Sequence, residues 1–241
     1  MLRVAAVQMA PVFLNKEANL MSMDRLMRQA KGKADLIAFP ELCTTGYSLM
    51  SDKEARSVAE PVEGLTFQAM LRLARAYDMT VVWGMVIEEK GKLYNGQVYI
   101  EPNGKWEKVY KINRFGQDWI WATAGDESPP IITLDDGTKV GLLICRDVRD
   151  KWGRSEKTLY SKGDADIVVL STAWGDGGFP AVAWMDFAEQ NKTALVVSNR
   201  YGRERNNNFG EGGVCVISKD GKVSCEGLRW NMDCIVYATI D

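Results

Sequence analysis

Residues 35–47 read DLIAFPELCTTGY, and the reading of this stretch decides the architecture. The apolar run 35–39 is too short for a helix and halts at Pro40, which has no N–H to give a ladder. It therefore reads as a buried strand ending at a sheet rim. Upstream, Asn15 to Lys31 carries Leu20, Met23, Leu26, Met27 and Ala30 at helical spacing, with Gly32 as the stop. Downstream, Leu65 to Tyr77 repeats the pattern through Phe67, Met70, Leu71 and Ala74, and 80–87 (TVVWGMVI) is another buried run. Further strand-like runs lie at 3–9, 97–100, 107–112, 131–134, 139–144, 166–171, 193–199, 213–218 and 234–240. Two more helices are expected at 155–162 and 180–191, the second holding Trp184, Phe187 and Ala188 on one face. Gly91, Asn103-Gly104, Asp136-Gly137 and Asp220-Gly221 fall between runs as hairpin turns, so much of the pairing should be antiparallel. Helices alternating with strands at both ends, and hairpins between them, predict an α/β layered sandwich with residues 1–241 in one domain.

The composition bounds the function. The chain has 241 residues, 46% of them hydrophobic, enough for a substantial core. Its 30 basic and 32 acidic side chains leave a net charge of −2, which argues against a nucleic-acid partner. No stretch approaches the roughly 20 apolar residues that span a bilayer, so no membrane association is expected. The opening MLRVAAVQMAPVF has one positive charge and an early proline, and reads as a first strand, not a signal peptide. Cys43, Cys145, Cys215, Cys225 and Cys234 are odd in number and set in apolar runs, which suits a reduced cytoplasm. The chain has no histidine at all. That excludes Ser-His-Asp and Cys-His pairs and every zinc site that needs imidazole. Acid–base chemistry here falls to a carboxylate, a lysine, a cysteine or a tyrosine.

Three strand ends deliver a reactive side chain into a loop. Glu41 follows Phe39-Pro40, where a sheet gives way to its C-terminal rim. Lys111 ends EKVYK; near a carboxylate in a dry pocket it would be a fixed positive charge for a developing oxyanion. Cys145 closes the apolar KVGLLI and is followed at once by Arg146, Asp147, Arg149 and Asp150. A thiol at such a turn, with N–H groups and cations around it, is expected to have a depressed pKa. Each residue alone has an ordinary reading: a solvated acid, a surface charge, a buried thiol. A nucleophile, a base and a cation on three strand ends, in a chain without histidine, is far more specific than any of them.

These motifs resemble the nitrilase superfamily of carbon–nitrogen hydrolases, and the likeness spans nearly the whole chain. It runs from AAVQMAP through FPELCTTGY, VYKINRFG and GLLICRD to NKTALVVSNRYG and VYATID. The resemblance implies a four-layer α-β-β-α sandwich that forms a homodimer or higher homo-oligomer. It implies a catalytic Glu–Lys–Cys set at Glu41, Lys111 and Cys145, acting on a small-molecule amide with no metal or organic cofactor. Cys145-Arg146-Asp147 looks like the amidase and carbamoylase branches, since true nitrilases follow the cysteine with Trp-Glu. Three positions depart from the family pattern: Asp118 for a second glutamate, Arg149-Asp150-Lys151-Trp152 for Arg-Phe-Pro-Glu, and Phe187 for an arginine. Asp118, one methylene shorter, would orient Lys111 or the substrate. Tyr47, Trp119, Trp121 and Trp174 are expected to flank the site with an aromatic rim, or else to be core or interface packing. Arg146 would bind a substrate carboxylate, or pair with Asp147 or a neighbouring acid. The expected reaction is amide hydrolysis through a cysteine thioester. The alternatives are N-carbamoyl hydrolysis and a non-catalytic, oligomerising member of the same fold.

Overall fold

The computed structural model describes residues 1–148, 163–175, 178–227 and 231–241. The helix expected at 155–162 and the segment 149–152 lie outside the described residues. The first half of the chain forms β1 (Leu2–Met9), α1 (Lys16–Ala30), β2 (Leu36–Ala38), α2 (Asp52–Val58) and α3 (Leu65–Tyr77). It continues with β3 (Thr80–Glu89), β4 (Lys92–Ile100), β5 (Trp106–Tyr110) and the single turn α4 (Asp118–Trp121). The second half forms β6 (Ile132–Thr133), β7 (Lys139–Ile144), β8 (Ile167–Thr172), α5 (Val182–Asn191) and β9 (Ala194–Arg200). The short hairpin β10 (Arg203–Glu204) and β11 (Asn207–Asn208) precedes β12 (Cys215–Ile217), β13 (Val223–Glu226) and β14 (Cys234–Ile240).

Strands run in the order β5-β4-β3-β2-β1-β9-β8-β7-β6. The centre of each half is parallel (β1, β2, β3 and β7, β8, β9), and hairpins extend both edges. The halves meet edge to edge through Gln8↔Asn199 and Met9↔Arg200. β14 returns to lie antiparallel along β1, from Leu2↔Ile240 to Gln8↔Cys234.

Successive strand side chains point to opposite faces, and here that alternation builds the layers. Val4, Ala6, Ala38 and Val82 of one half meet Leu142, Ile144, Val169 and Val196 of the other in a cluster between the half-sheets. The alternate residues Ala5, Val7, Val81 and Trp83 pack outward against Met23 and Leu26 of α1 and Phe67 and Met70 of α3. Leu143, Val168, Leu170 and Leu195 pack outward against Trp184, Phe187 and Ala188 of α5. The result is the expected α-β-β-α sandwich. Strands buried on both faces lose any polar period, which is why they read as continuous apolar runs. Polar bonds also tie the layers: Gln97 Nε2 donates to Ser171 Oγ (2.8 Å), and Ser171 Oγ to the Phe39 carbonyl (2.7 Å).

One strand is longer than its composition suggests. β4 begins at Lys92, not 97, because the β3–β4 hairpin zips from Val81↔Ile100 to Glu89↔Lys92. Lys90 and Gly91 both take positive φ (52° and 76°), the two-residue turn that suits the twist of the flanking strands. Asn95 and Gly96 interrupt the apolar run and conceal this extension. α2 was not expected either, since only Ala55 and Val58 are buried; Ser51 caps it by accepting from Glu54 N. No helix among the described residues is long and apolar enough to cross a membrane.

Gly84, in the middle of β3, fixes how closely the Glu41 loop can approach. A Cβ there would lie 2.3 Å from Leu42 N, a backbone atom that cannot swing away. The Gly84 carbonyl also accepts from Thr44 Oγ1 at 3.1 Å. Gly84→Ala is expected to cost about 3 kcal/mol of unfolding free energy by chemical denaturation, the upper range for overpacking. A loss below about 0.5 kcal/mol would show that the loop relaxes freely, and would refute the close-approach argument.

Candidate active site

The site is built where β2, β5, β7 and β8 end. β2 is broken by Pro40, so Glu41 leaves the sheet with its carboxylate in the space between the half-sheets. Its Oε1 accepts from Lys111 Nζ and from Asn95 Nδ2, each at 2.7 Å, and its Oε2 accepts from Ala173 N at 2.9 Å. Lys111 lies two residues beyond Val109, an inward-facing residue of β5, and the strand period carries it to the same side. Its ammonium also reaches Asp118 Oδ2 at 2.5 Å. Asp118 opens α4 and accepts from Asn95 Nδ2 and Phe115 N, both at 3.0 Å. Side-chain exposure is 0% for Glu41 and 1% for Lys111 and Asp118. Burial alone would lower the Lys111 pKa. The Asp118 and Glu41 carboxylates outweigh it and hold the ammonium well above the ordinary lysine value.

Cys145 ends β7 and opens a single 3₁₀ turn, Cys145–Val148, with φ at +48°. A non-glycine residue in that region stores strain and needs its surroundings to hold it. Its thiol is buried and pushed up to about 12, by desolvation first and by the Glu41 charge second. Lys111, the Thr172 hydroxyl and the Ala173 N–H pull it the other way without prevailing. The expectation of a depressed pKa is therefore wrong: desolvation and a neighbouring carboxylate outweigh the cation, and the resting sulfur is a neutral thiol. Asp147 is not the partner of Arg146. Its carboxylate turns inward and accepts from Asn113 N at 2.7 Å and Ile112 N at 3.3 Å. It thereby pins the turn bearing Cys145 to the loop that follows Lys111.

Cys145 lies at the wall of a cleft of about 560 Å³, with Tyr47, Phe115, Arg146, Trp174 and Phe209 around it. Glu41, Lys111 and Asp118 are buried beside it and are not among the residues that line the cleft. Of the expected substrate-binding residues, Tyr47, Arg146 and Trp174 line it. Asp118 is engaged by Lys111, Asn95 and the Phe115 amide. Trp119 is not among the described residues of the cleft wall; it is 52% exposed, with Arg114 stacked 4.1 Å over its ring. Trp121 packs in the buried cluster with Tyr47 and Leu42.

Three residues that hold this arrangement escape a reading of motifs. Asn95 bridges Glu41 and Asp118, and the alternation of Asn95, Gln97 and Tyr99 with apolar neighbours is the signal that could have placed it on the inner face. Glu204 accepts from Tyr47 N at 2.8 Å and Ser48 N at 2.6 Å while Arg200 donates to it at 2.8 Å. Tyr47 is thereby fixed, with its hydroxyl on the Phe115 carbonyl (2.7 Å) and its ring 5.6 Å from the Lys111 ammonium. Asn199 clasps Trp174, accepting from its N–H at 2.9 Å and donating to its carbonyl at 3.2 Å.

Residues 3–241 match the sequence profile of a family described as Carbon-nitrogen hydrolase. The chain is 26% identical over 242 residues to an (R)-stereoselective amidase from a Pseudomonas species, covering 100% of this chain and 86% of that protein. It is 31% identical over 217 residues to a nitrilase from Pyrococcus abyssi, covering 87% and 79%. Its fold is similar to that of a CN-hydrolase superfamily protein from Xanthomonas campestris with an arsenic adduct in its active site. There the TM-score is 0.87 at 20% identity, over 100% of this chain and 90% of that one. An amidase from Nesterenkonia whose active-site cysteine carries added acrylamide gives a TM-score of 0.83 at 19% identity, over 100% and 94%.

Asp147 makes stability depend on pH. Burial raises its carboxyl from an ordinary 3.8 to about 7. Between those values the native state holds a proton that the unfolded chain has released. Its contribution is thus fully present below the lower value and lost as pH rises through the upper one. The wild type is expected to lose stability relative to Asp147→Asn across this window, at up to about 1.4 kcal/mol per pH unit. Urea unfolding of both proteins at stepped pH checks this, and parallel stability curves would refute it.

Proposed function

The chain belongs to the carbon–nitrogen hydrolase family, and on that premise we propose that it hydrolyses a small non-peptide amide to a carboxylic acid and ammonia through a thioester on Cys145. One observation carries the reading. A dry ammonium, Lys111, lies 2.7 Å from a dry carboxylate, Glu41, and both act electrostatically on a thiol at the wall of an open cleft. The amidases among its relatives, and the cysteine adduct of the Nesterenkonia amidase, support the same assignment.

The neutral thiol dictates the order of events. Because the sulfur rests protonated, its proton passes to Glu41 as the C–S bond forms, so no thiolate accumulates beforehand. The carbonyl π electrons move onto oxygen, and the oxyanion is held by the Lys111 ammonium and a backbone N–H near Arg146. Removing one donor of this kind typically costs about 3 kcal/mol of barrier. Glu41 then returns the proton to the amide nitrogen, the C–N bond breaks, and ammonia leaves the thioester behind. Water, deprotonated by the same carboxylate, attacks the thioester and restores the thiol. Asp118 and Asn95 keep Lys111 and Glu41 in register throughout. The acting unit is the domain 1–241, paired in the cytoplasm as a homodimer or higher homo-oligomer.

Ammonia release from a panel of short aliphatic amides, with ureido compounds alongside, tests the reaction. Amide turnover is expected in the wild type, with a fall of at least about 10³-fold in Cys145→Ala. Intact mass after brief exposure to substrate should show one acyl group, absent from Cys145→Ala. Undiminished turnover by Cys145→Ala would remove the nucleophile, and carbon dioxide release confined to ureido compounds would replace amide with N-carbamoyl hydrolysis. Light scattering that gave the mass of a single chain would overturn the oligomer.

A further inference from the structure

Strand β8 ends in two hydroxyl residues, Ser171 and Thr172, and the fold treats them differently. β7 and β8 run parallel with Ile144 opposite Ser171, so the next residue of each chain, Cys145 and Thr172, comes to the same place on the rim. The Ser171 hydroxyl is fully used: it accepts from Gln97 Nε2 and donates to the Phe39 carbonyl. The Thr172 hydroxyl is completely buried and has no hydrogen-bond partner among the described residues. A buried hydroxyl in that position has lost its hydration and gained nothing in return, which calls for an acceptor that the resting protein does not supply. We infer that Thr172 is a further catalytic residue: its hydroxyl donates a hydrogen bond to Cys145 Sγ while that sulfur carries negative charge. The inference rests on the hydrolase reading above and adds a residue to that same site.

Three groups act on the sulfur to favour its anionic form: the Lys111 ammonium, the Thr172 hydroxyl and the Ala173 N–H. Two of them already hold acceptors. Lys111 bonds Glu41 and Asp118, and the Ala173 N–H bonds Glu41 Oε2. The Thr172 proton alone is uncommitted, so it can turn about the Cβ–Oγ1 bond toward the sulfur without breaking another bond. A neutral thiol is a weak acceptor and rewards that bond poorly at rest. An anionic sulfur is a charged acceptor and rewards it well. An interaction that strengthens only as charge develops is the kind that lowers a barrier.

The charge on sulfur is greatest when the thioester is hydrolysed. Water has by then added to the acyl carbon and given a proton to Glu41. As the adduct collapses, the C=O bond reforms, the C–S bond breaks and its electron pair passes to sulfur, to which Glu41 returns the proton. Thr172 keeps its own proton throughout.

Thr172→Val keeps the branched shape without the hydroxyl, and Thr172→Ser keeps the hydroxyl. Amide turnover in Thr172→Val should show kcat reduced about tenfold, with Thr172→Ser close to wild type. The urea midpoint of Thr172→Val should equal or exceed that of the wild type, because an unpartnered buried hydroxyl has been removed. Iodoacetamide alkylation at mildly alkaline pH, read on the Cys145 peptide by mass spectrometry, reports the sulfur directly. Glu41 and Lys111, the titratable groups that act on it, are the same in all three proteins. Alkylation should slow about threefold in Thr172→Val, less than the loss of thiolate because a better-held thiolate is also less nucleophilic. Equal alkylation rates in wild type and Thr172→Val would overturn the inference and leave the hydrolase intact. So would an unchanged kcat, or a lowered urea midpoint, which would make the hydroxyl a support of the fold. Should the wild type turn over no amide, slower alkylation of Thr172→Val would uphold the bond to sulfur and remove the hydrolase alone.

Discussion

An ammonium group removed from water needs anions around it, and that requirement organises this molecule. Lys111 is shut inside with two carboxylates in contact, one from the loop after β2 and one from the turn α4. Taking three charges out of water costs several kcal/mol per ion, repaid only when every lone pair and proton is matched. Asn95, the Ala173 amide and the Phe115 amide complete that matching. Apolar residues would fill the same volume at less expense. A charge cluster of this kind, set beside a buried thiol, is the sort of arrangement kept for chemistry.

The sandwich supplies what the cluster cannot supply for itself. Each half-sheet contributes strand ends to one side of a narrow gap, so residues far apart in the chain arrive at a common rim. Glu41, Asn95 and Lys111 come from one half; Cys145 and Ala173 come from the other. Loops that carry reactive groups would drift unless tied. Asp147 ties the cysteine turn to the loop beyond Lys111, and Glu204 ties the loop carrying Tyr47. Gly84 lets the loop after β2 settle directly on β3. The strain at Cys145, with φ at +48°, persists because these ties surround it.

A buried thiol beside a carboxylate behaves differently from one at an open, cationic turn. Polar residues follow Cys145 at once, and that pattern alone points to an ionised sulfur. In the folded chain, desolvation and the Glu41 charge decide the matter the other way. The consequence for the proposed chemistry is economy of charge. The proton moves within the site as the bond forms, and the cluster never gains a further uncompensated anion.

Much of this was legible in one dimension, because some physical constraints act locally. Apolar runs bounded by proline or glycine mark strands, and helical spacing marks α1, α3 and α5. The sulfur, the acid and the amine each stand at the end of such a run, so their places on the rim followed from local pattern, and the family motifs set them together. Other features depend on what lies opposite in space. The extension of β4 to Lys92 comes from cross-strand bonds that a polar stretch conceals. The exposure of Trp119, the burial of Asp118 and the pairing of Asp147 with backbone amides were settled by the folded surroundings. So was the protonation of Cys145. Local chain physics determined the elements and the chemical kinds present; burial and partnership, which exist only once the layers close, decided which groups are charged and which face the cleft.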